Sequence, residues 1–279
     1  MGLIGAAFGI GFVLGPALAT VLIQPKIANL FPMENKYAIP GFFAACLSFV
    51  SFLLVLFKLP ETVKKNSVPF SVQRGIFSQS FWKTIVDRSA QSKTNLLPLM
   101  LLSLLLLSIG HSSLYSAFPL FCKTILSLNV YEVSAQFVYM GLIAIFVQGF
   151  LIRLLIKKID ESTLFLVGSL LMSAGLGLIP FATSKMTLTL FLATLSLGAS
   201  LNGPTLNSMI SKKAPAEKMG ATMGVSQSLS ALGRVIGPTL GGWLITLHFR
   251  APFLVTSSLV GATCGIGLFL KKNKNTDAC

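Results

Sequence analysis

The chain has 279 residues, of which 53% are hydrophobic and only 11% charged, and its mean hydropathy is +0.80. A soluble domain carries about 25% charged residues, so the composition excludes a soluble or secreted enzyme. The formal net charge is +14, and the 22 Lys and Arg residues far outnumber the eight Asp and Glu.

In chain order, residues 1–25, 37–57, 94–122, 133–152, 162–184, 186–211 and 251–270 contain no charge, and residues 219–249 contain only Arg234. A helix needs about 20 mainly apolar residues to cross a bilayer. The pattern therefore predicts an all-α, polytopic membrane protein with eight spans, near 3–23, 38–57, 96–120, 132–156, 163–183, 187–210, 220–246 and 251–270. The connections are short except between residues 58 and 95. That stretch carries Pro60, Pro69 and a scatter of Ser, Gln and Asn, and it reads as a linker with a surface amphipathic helix near 77–86.

The basic residues give the spans a direction. With the start of the first span in the cytoplasm, sixteen Lys and Arg fall on the cytoplasmic side, between residues 58 and 93, 153 and 158, 212 and 218, and 271 and 274. Five fall on the other side: Lys26, Lys36, Lys123, Lys185 and Arg250. This is the positive-inside bias of a membrane protein, and it accounts for the net charge without nucleic acid. It places the central loop and the C-terminus in the cytoplasm.

Residues 1–20 and 223–242 are two copies of one pattern. At an offset of 222, Met1, Gly2, Gly11, Val13, Gly15, Pro16 and Leu18 match Met223, Gly224, Gly233, Val235, Gly237, Pro238 and Leu240. The copies are the first and seventh spans. A parallel repeat of six spans is a symmetry that transporter folds use.

Four stretches resemble the major facilitator superfamily, in its drug:proton antiporter and tetracycline-transporter-like branch. GFVLGPALAT (11–20) resembles the antiporter motif of the fifth helix, and FKLPET (57–62) resembles the end of the sixth. QGFLIRLLIKK (148–158) is a degenerate copy of the basic loop after the eighth helix. It keeps Arg153, Lys157 and Lys158 but has Ile156 where a glycine is common. Residues 204–242 resemble the tenth and eleventh helices at nearly every motif position. The resemblance implies that the eight spans correspond to helices five to twelve of twelve. Residues 1–57 would then be the last two helices of the N-terminal half, 58–95 the central cytoplasmic loop, 96–270 the six-helix C-terminal half and 271–279 a cytoplasmic tail. The first four helices, with the acidic coupling residues of the N-half, would lie outside these residues.

Several residues are candidates for function. Gly11, Gly15 and Pro16, with Gly233, Gly237 and Pro238, place small faces one turn apart beside a helix-bending proline. They fit close helix packing and also a gate where two halves rock. The pairs Gly5/Gly9, Gly220/Gly224, Gly237/Gly241 and Gly261/Gly265 have the same spacing. Arg234 is a charge inside a span and needs a partner: a carbonyl, a polar side chain, an anionic substrate or an acid from outside these spans. His111 reads first as a satisfied structural histidine and second as a proton relay. With Tyr115, Asn202 and Gln227, these two are the expected cavity residues. Gln136, Tyr139, Gln148, Asn207 and Ser230 add uncharged polar groups to the same spans. Spans 38–57, 163–183 and 251–270 read as peripheral and lipid-facing.

No phosphate-binding loop or metal-ligand spacing is present, and Cys46, Cys122, Cys264 and Cys279 form no CxxC pair. The reading is no enzyme, no catalytic residue, no cofactor and no metal. The resemblance implies a secondary transporter of a small organic solute, working by alternating access with proton-coupled efflux. Its partners would be the bilayer, the solute and protons. The competing reading is a transport-incompetent membrane protein that pairs with a full-length transporter chain.

Overall fold

The computed structural model describes residues 2–29, 35–58, 96–214 and 219–277. The linker between residues 59 and 95, with its expected surface helix, lies outside them. All described secondary structure is helical: α1 (Gly2–Leu22), α2 (Pro25–Ala28), α3 (Ala38–Lys58), α4 (Leu97–Ile125), α5 (Val130–Phe146), α6 (Ile152–Lys158), α7 (Glu161–Leu178), α8 (Lys185–Lys213), α9 (Met219–Leu247) and α10 (Ala251–Asp277). A π-helical turn, Val147–Leu151, joins α5 to α6, so the two form one continuous 29-residue span.

Eight long helices thus stand where eight spans are expected. Six meet the length and hydropathy of a membrane span: α3, α4, α5–α6, α7, α8 and α10. In α1, the stretch Val13–Leu22 is a shorter apolar segment. The Gly, Ser, Gln and Arg content of α9 dilutes its hydropathy. The last helix runs to Asp277, so the expected tail begins as a helical extension of α10.

Polar residues at the span ends start the helices. The Asn129 side chain accepts from the Glu132 amide (2.9 Å), and the Glu132 carboxylate accepts from the Asn129 amide (3.0 Å). This reciprocal cap opens α5. Asp160 caps α7 by accepting from Ser162 N (3.1 Å), and Ser184 opens α8 with Thr187. Three contacts fix the up-and-down order. Lys185 pairs with Glu132 at 3.1 Å, and Arg250 lies 5.6 Å from the Phe181 ring centre, both at one end of the bundle. Lys212 pairs with Glu161 at 2.7 Å at the other.

The core lies among α4, α5, α7, α8, α9 and α10. Phe118, Phe121, Phe165 and Phe253 are fully buried, and Phe121 meets Phe253 edge-on with centroids 5.2 Å apart. The α7–α8 seam is built on glycines. A Cβ on Gly175 would lie 2.5 Å from the Leu195 amide nitrogen, and one on Gly168 would lie 2.5 Å from Asn202 Oδ1. Small residues let backbones approach where lipid provides no hydrophobic drive.

One expectation is corrected here. Spans 163–183 and 251–270 are not simply lipid-facing. In α7, half of the most apolar window is buried, and a third in α10. Their Ser and Gly residues join them: Ser173 Oγ donates to the Ser257 carbonyl (2.9 Å), and Ser257 Oγ donates back to the Ser173 carbonyl (2.8 Å). By contrast α3 buries only Ile39 among its described side chains.

Candidate functional site

The two halves of the repeat pack differently. In α9, Gly233, Gly237 and Gly241 face α4. A Cβ on Gly237 would lie 2.7 Å from the Ile109 carbonyl oxygen and 2.9 Å from the Ser113 nitrogen. Ser112 Oγ shares its proton between the Ser108 carbonyl of its own helix (2.6 Å) and the Gly233 carbonyl (2.9 Å), and Ser116 Oγ donates to the Pro238 carbonyl (3.0 Å). Serines 112 and 116, one turn apart on α4, therefore lock the Gly-Pro stretch of α9. In α1, a Cβ on Gly11 or Gly15 would meet nothing within 4 Å. This helix packs instead on α5 and its π turn. Of the other expected pairs, Gly220, Gly224 and Gly265 are also open, Gly261 lies near Ser173, and of Gly5 and Gly9 only the helical backbone is described.

Beside the α4–α9 lock, three helices bring together the aromatic and basic side chains. His111 and Tyr115 of α4 meet with ring centroids 5.7 Å apart, and Tyr115 lies 6.2 Å from Phe137 of α5. Phe137 in turn meets buried Phe118 edge-on at 5.4 Å. Arg234 of α9 follows Gly233, whose carbonyl is bonded by Ser112, three residues before Tyr115 on α4. Tyr115 is 41% exposed, and Arg234 and Gln227 are exposed. Gln227 lies seven residues before Arg234, two helical turns along the same side of α9. Pro238 has no N–H, so the carbonyl of Arg234, four residues earlier, loses its ordinary helical partner. The face thus gathers a guanidinium and a phenol beside an aromatic wall.

Asn202 stands apart from this group. It is 2% exposed and sits in the α7–α8 seam, where Gly168 makes room for it. Ser169 Oγ donates to its Oδ1 (3.4 Å), and its Nδ2 lies 3.9 Å from Met172 Sδ. Gln136 serves the neighbouring α5–α8 seam by accepting from Thr189 Oγ1 (3.1 Å). Asn207 keeps a buried Oδ1 with no hydrogen-bond partner. Arg153, Lys157 and Lys158 are exposed at the end of the α5–α6 span. Phe137 was not among the sequence candidates. A phenylalanine in an apolar span carries no signal until its neighbours are known.

These observations agree with a comparison to known sequences. The Major Facilitator Superfamily profile matches residues 1–238. The chain belongs to this superfamily. Multidrug resistance protein 2 of Bacillus subtilis is 23% identical over 282 residues, which cover 100% of this chain and 66% of that protein. The quinolone resistance protein NorA of Staphylococcus aureus (strain MSSA476) is 22% identical over 98% of this chain and 65% of its own length. Solute carrier family 22 member 18 of Mus musculus is 29% identical over 88% of this chain and 57% of its own. The crystal structure of the human organic anion transporter MFSD10 (TETRAN) superposes with a TM-score of 0.71 at 22% identity, over 96% of this chain and 62% of that one. The superposition establishes the superfamily fold. The chain spans between 57% and 66% of the lengths of these relatives. It is an integral, multi-pass membrane protein.

Proposed function

We propose that the chain takes part in moving a small organic solute across a membrane by alternating access, and that it does so as proton-coupled efflux. The observation that carries this reading is the face made by His111, Tyr115, Phe137 and Arg234. It gathers polar groups and an aromatic wall on three helices of an otherwise apolar bundle, with the Arg234 stretch of α9 tied to the Tyr115 helix through Ser112. A charge at mid-span costs at least about 2.5–3.5 kcal/mol, and such residues mark substrate or ion pathways. The drug-resistance and solute-carrier names of the relatives point the same way. The π turn between α5 and α6, against which α1 packs, is the flexure this reading assigns to the movement, since π bulges gather at functional sites.

Proton coupling rests on His111 and on the antiporter-like Gly15-Pro16 and Gly237-Pro238 pairs. The test is flux in proteoliposomes holding the 279-residue chain, with a fluorescent cationic dye and a fluorescent aromatic carboxylate as probes. Accumulation of either probe that follows the imposed pH gradient and collapses with a protonophore supports the reading. Leakage no faster than from empty vesicles overturns it for this chain.

The charge distribution supports a cytoplasmic central loop and C-terminus. Cysteines introduced at 64 and 274 should react from the cytoplasmic side only, and one at 36 from the opposite side only. The reversed result would invert the topology.

A second reading is favoured by the open glycines of α1 and the nearly uncovered α3: a transport-incompetent membrane protein that pairs with a full-length transporter chain. Cross-linking from cysteines at 11 and 15 to a co-expressed full-length relative would support it. Cross-links that never exceed those from a lipid-facing position would remove it.

A further inference from the structure

We propose that the α4–α5–α9 face selects an aromatic organic anion, with its carboxylate or sulfonate on Arg234 and its ring against Tyr115 and Phe137. This rests on the reading of that face as the solute site and adds the chemical class of the solute.

The first argument is charge. The eight acidic residues are at 34, 61, 87, 132, 160, 161, 217 and 277. The four described ones, Glu132, Asp160, Glu161 and Asp277, all lie at helix ends. Arg234 is the sixteenth residue of the 29 in α9, near its middle. The described ion pairs are Lys185–Glu132 and Lys212–Glu161, and neither involves it. A guanidinium at that depth needs an anion, and a bound carboxylate or sulfonate can supply one through a two-pronged hydrogen bond. A cationic solute would instead meet an unopposed positive charge in a medium of low dielectric constant.

The second argument is preorganisation. Gly233, next to Arg234, is bonded to Ser112, and Pro238, four residues on, is bonded to Ser116. The backbone bearing the guanidinium is therefore held on both sides before any ligand arrives. Less ordering is left to oppose binding.

The third argument is the wall. Tyr115 and Phe137 lie side by side at 6.2 Å, and Phe137 is braced from behind by Phe118. Aromatic faces of this kind favour a ring over a flexible alkyl chain of equal area. An anion without a ring would engage only half of the site.

Equilibrium binding to the 279-residue chain in nanodiscs, with empty discs subtracted, tests the proposal. The probes are 1-naphthoate, 1-naphthamide and 1-naphthylmethylammonium, which share a ring system and differ in charge. The unaltered chain should bind naphthoate about tenfold or more tighter than the amide, as a charge-assisted hydrogen bond implies. Arg234→Gln should bring the two to equal affinity, Arg234→Lys should keep part of the preference, and Phe137→Ala should weaken all three probes. Equal or tighter binding of the amide or the ammonium to the unaltered chain overturns the proposal. That is the outcome expected if a carboxylate elsewhere in the protein already neutralises Arg234. A preference for naphthoate that survives Arg234→Gln overturns it too. If the Gln variant does not fold, the three probes on the unaltered chain still decide. Because the readout is binding, naphthoate preference without flux would sink the transport reading alone. Flux without that preference would sink this proposal alone.

Discussion

Helices α1 and α9 carry the same Gly-x-x-x-Gly-Pro pattern and use it differently. In α9 the glycines form a contact surface, because Ser112 and Ser116 of α4 reach the carbonyls that the missing side chains uncover. In α1 the matching Gly11 and Gly15 face open space, and the helix is held through its other side by α5. A motif of this kind specifies that a helix can be approached closely. Whether it is approached depends on a complementary serine-bearing face, which α4 supplies to α9 and no described helix supplies to α1.

The largest break in this comparison should come from bulk on the two glycines. Gly237→Leu would drive a side chain into the Ile109 carbonyl and the Ser113 nitrogen, backbone atoms that cannot turn aside. A loss of about 3 kcal/mol or more is expected, seen as a collapse of monodisperse protein in detergent. Gly15→Leu should leave yield and melting temperature within error. If both variants behave alike, the distinction between the copies fails.

A smaller effect sharpens the account of the lock. Ser112→Ala and Ser116→Ala should each cost about 0.6 kcal/mol, the average for interhelical hydrogen bonds in a membrane. The double variant should add, because the two serines bond different carbonyls. Thermal melts in nanodiscs measure both. A double variant no worse than either single would mean that the serines do not act on separate contacts.

The two ends of the bundle should yield least, and unequally. Glu161 is the more buried acid and accepts from both Ser208 (2.7 Å) and Lys212 (2.7 Å). In the other pair Lys185 is exposed and Glu132 is about a third exposed, twice as much as Glu161. Exposed pairs contribute about 0–1 kcal/mol. Glu161→Gln should therefore lower the melting temperature more than Lys185→Gln does. High salt should erase the effect of the second before that of the first, and the reverse order would contradict the assigned burial.

The spans and their order were legible because hydrocarbon tolerates so little charge. The gaps between charged residues nearly coincide with the helices, and Asn129, Asp160 and Ser184 mark starts that local chemistry fixes. Lateral packing was not legible. Gly168, Gly175 and Gly198 do for α7 and α8 what Gly233 and Gly237 do for α9, but Gly168 and Gly175 stand seven residues apart and Gly198 has no such partner on its own helix, so the four-residue pattern does not capture them. Asn202 illustrates the same limit. Its chemistry suits a cavity, yet the absence of a side chain on Gly168 draws it into a seam. The face with Tyr115 and Arg234 could be assembled in part, since polar residues in apolar spans stand out. Phe137 could not, because only its neighbours distinguish it.

The central claim is that the exposed sides of α4, α5 and α9 line a water-filled solute path. The direct measurement is the rate at which a membrane-impermeant thiol reagent labels single cysteines at 227 and 231, with Cys46, Cys122, Cys264 and Cys279 replaced. Position 268 on the exposed side of α10 is the lipid-facing reference. The account predicts that 227 and 231 label well over tenfold faster than 268, and that an aromatic carboxylate slows them. Labelling at 227 and 231 as slow as at 268 would place that side of α9 in lipid and contradict the account.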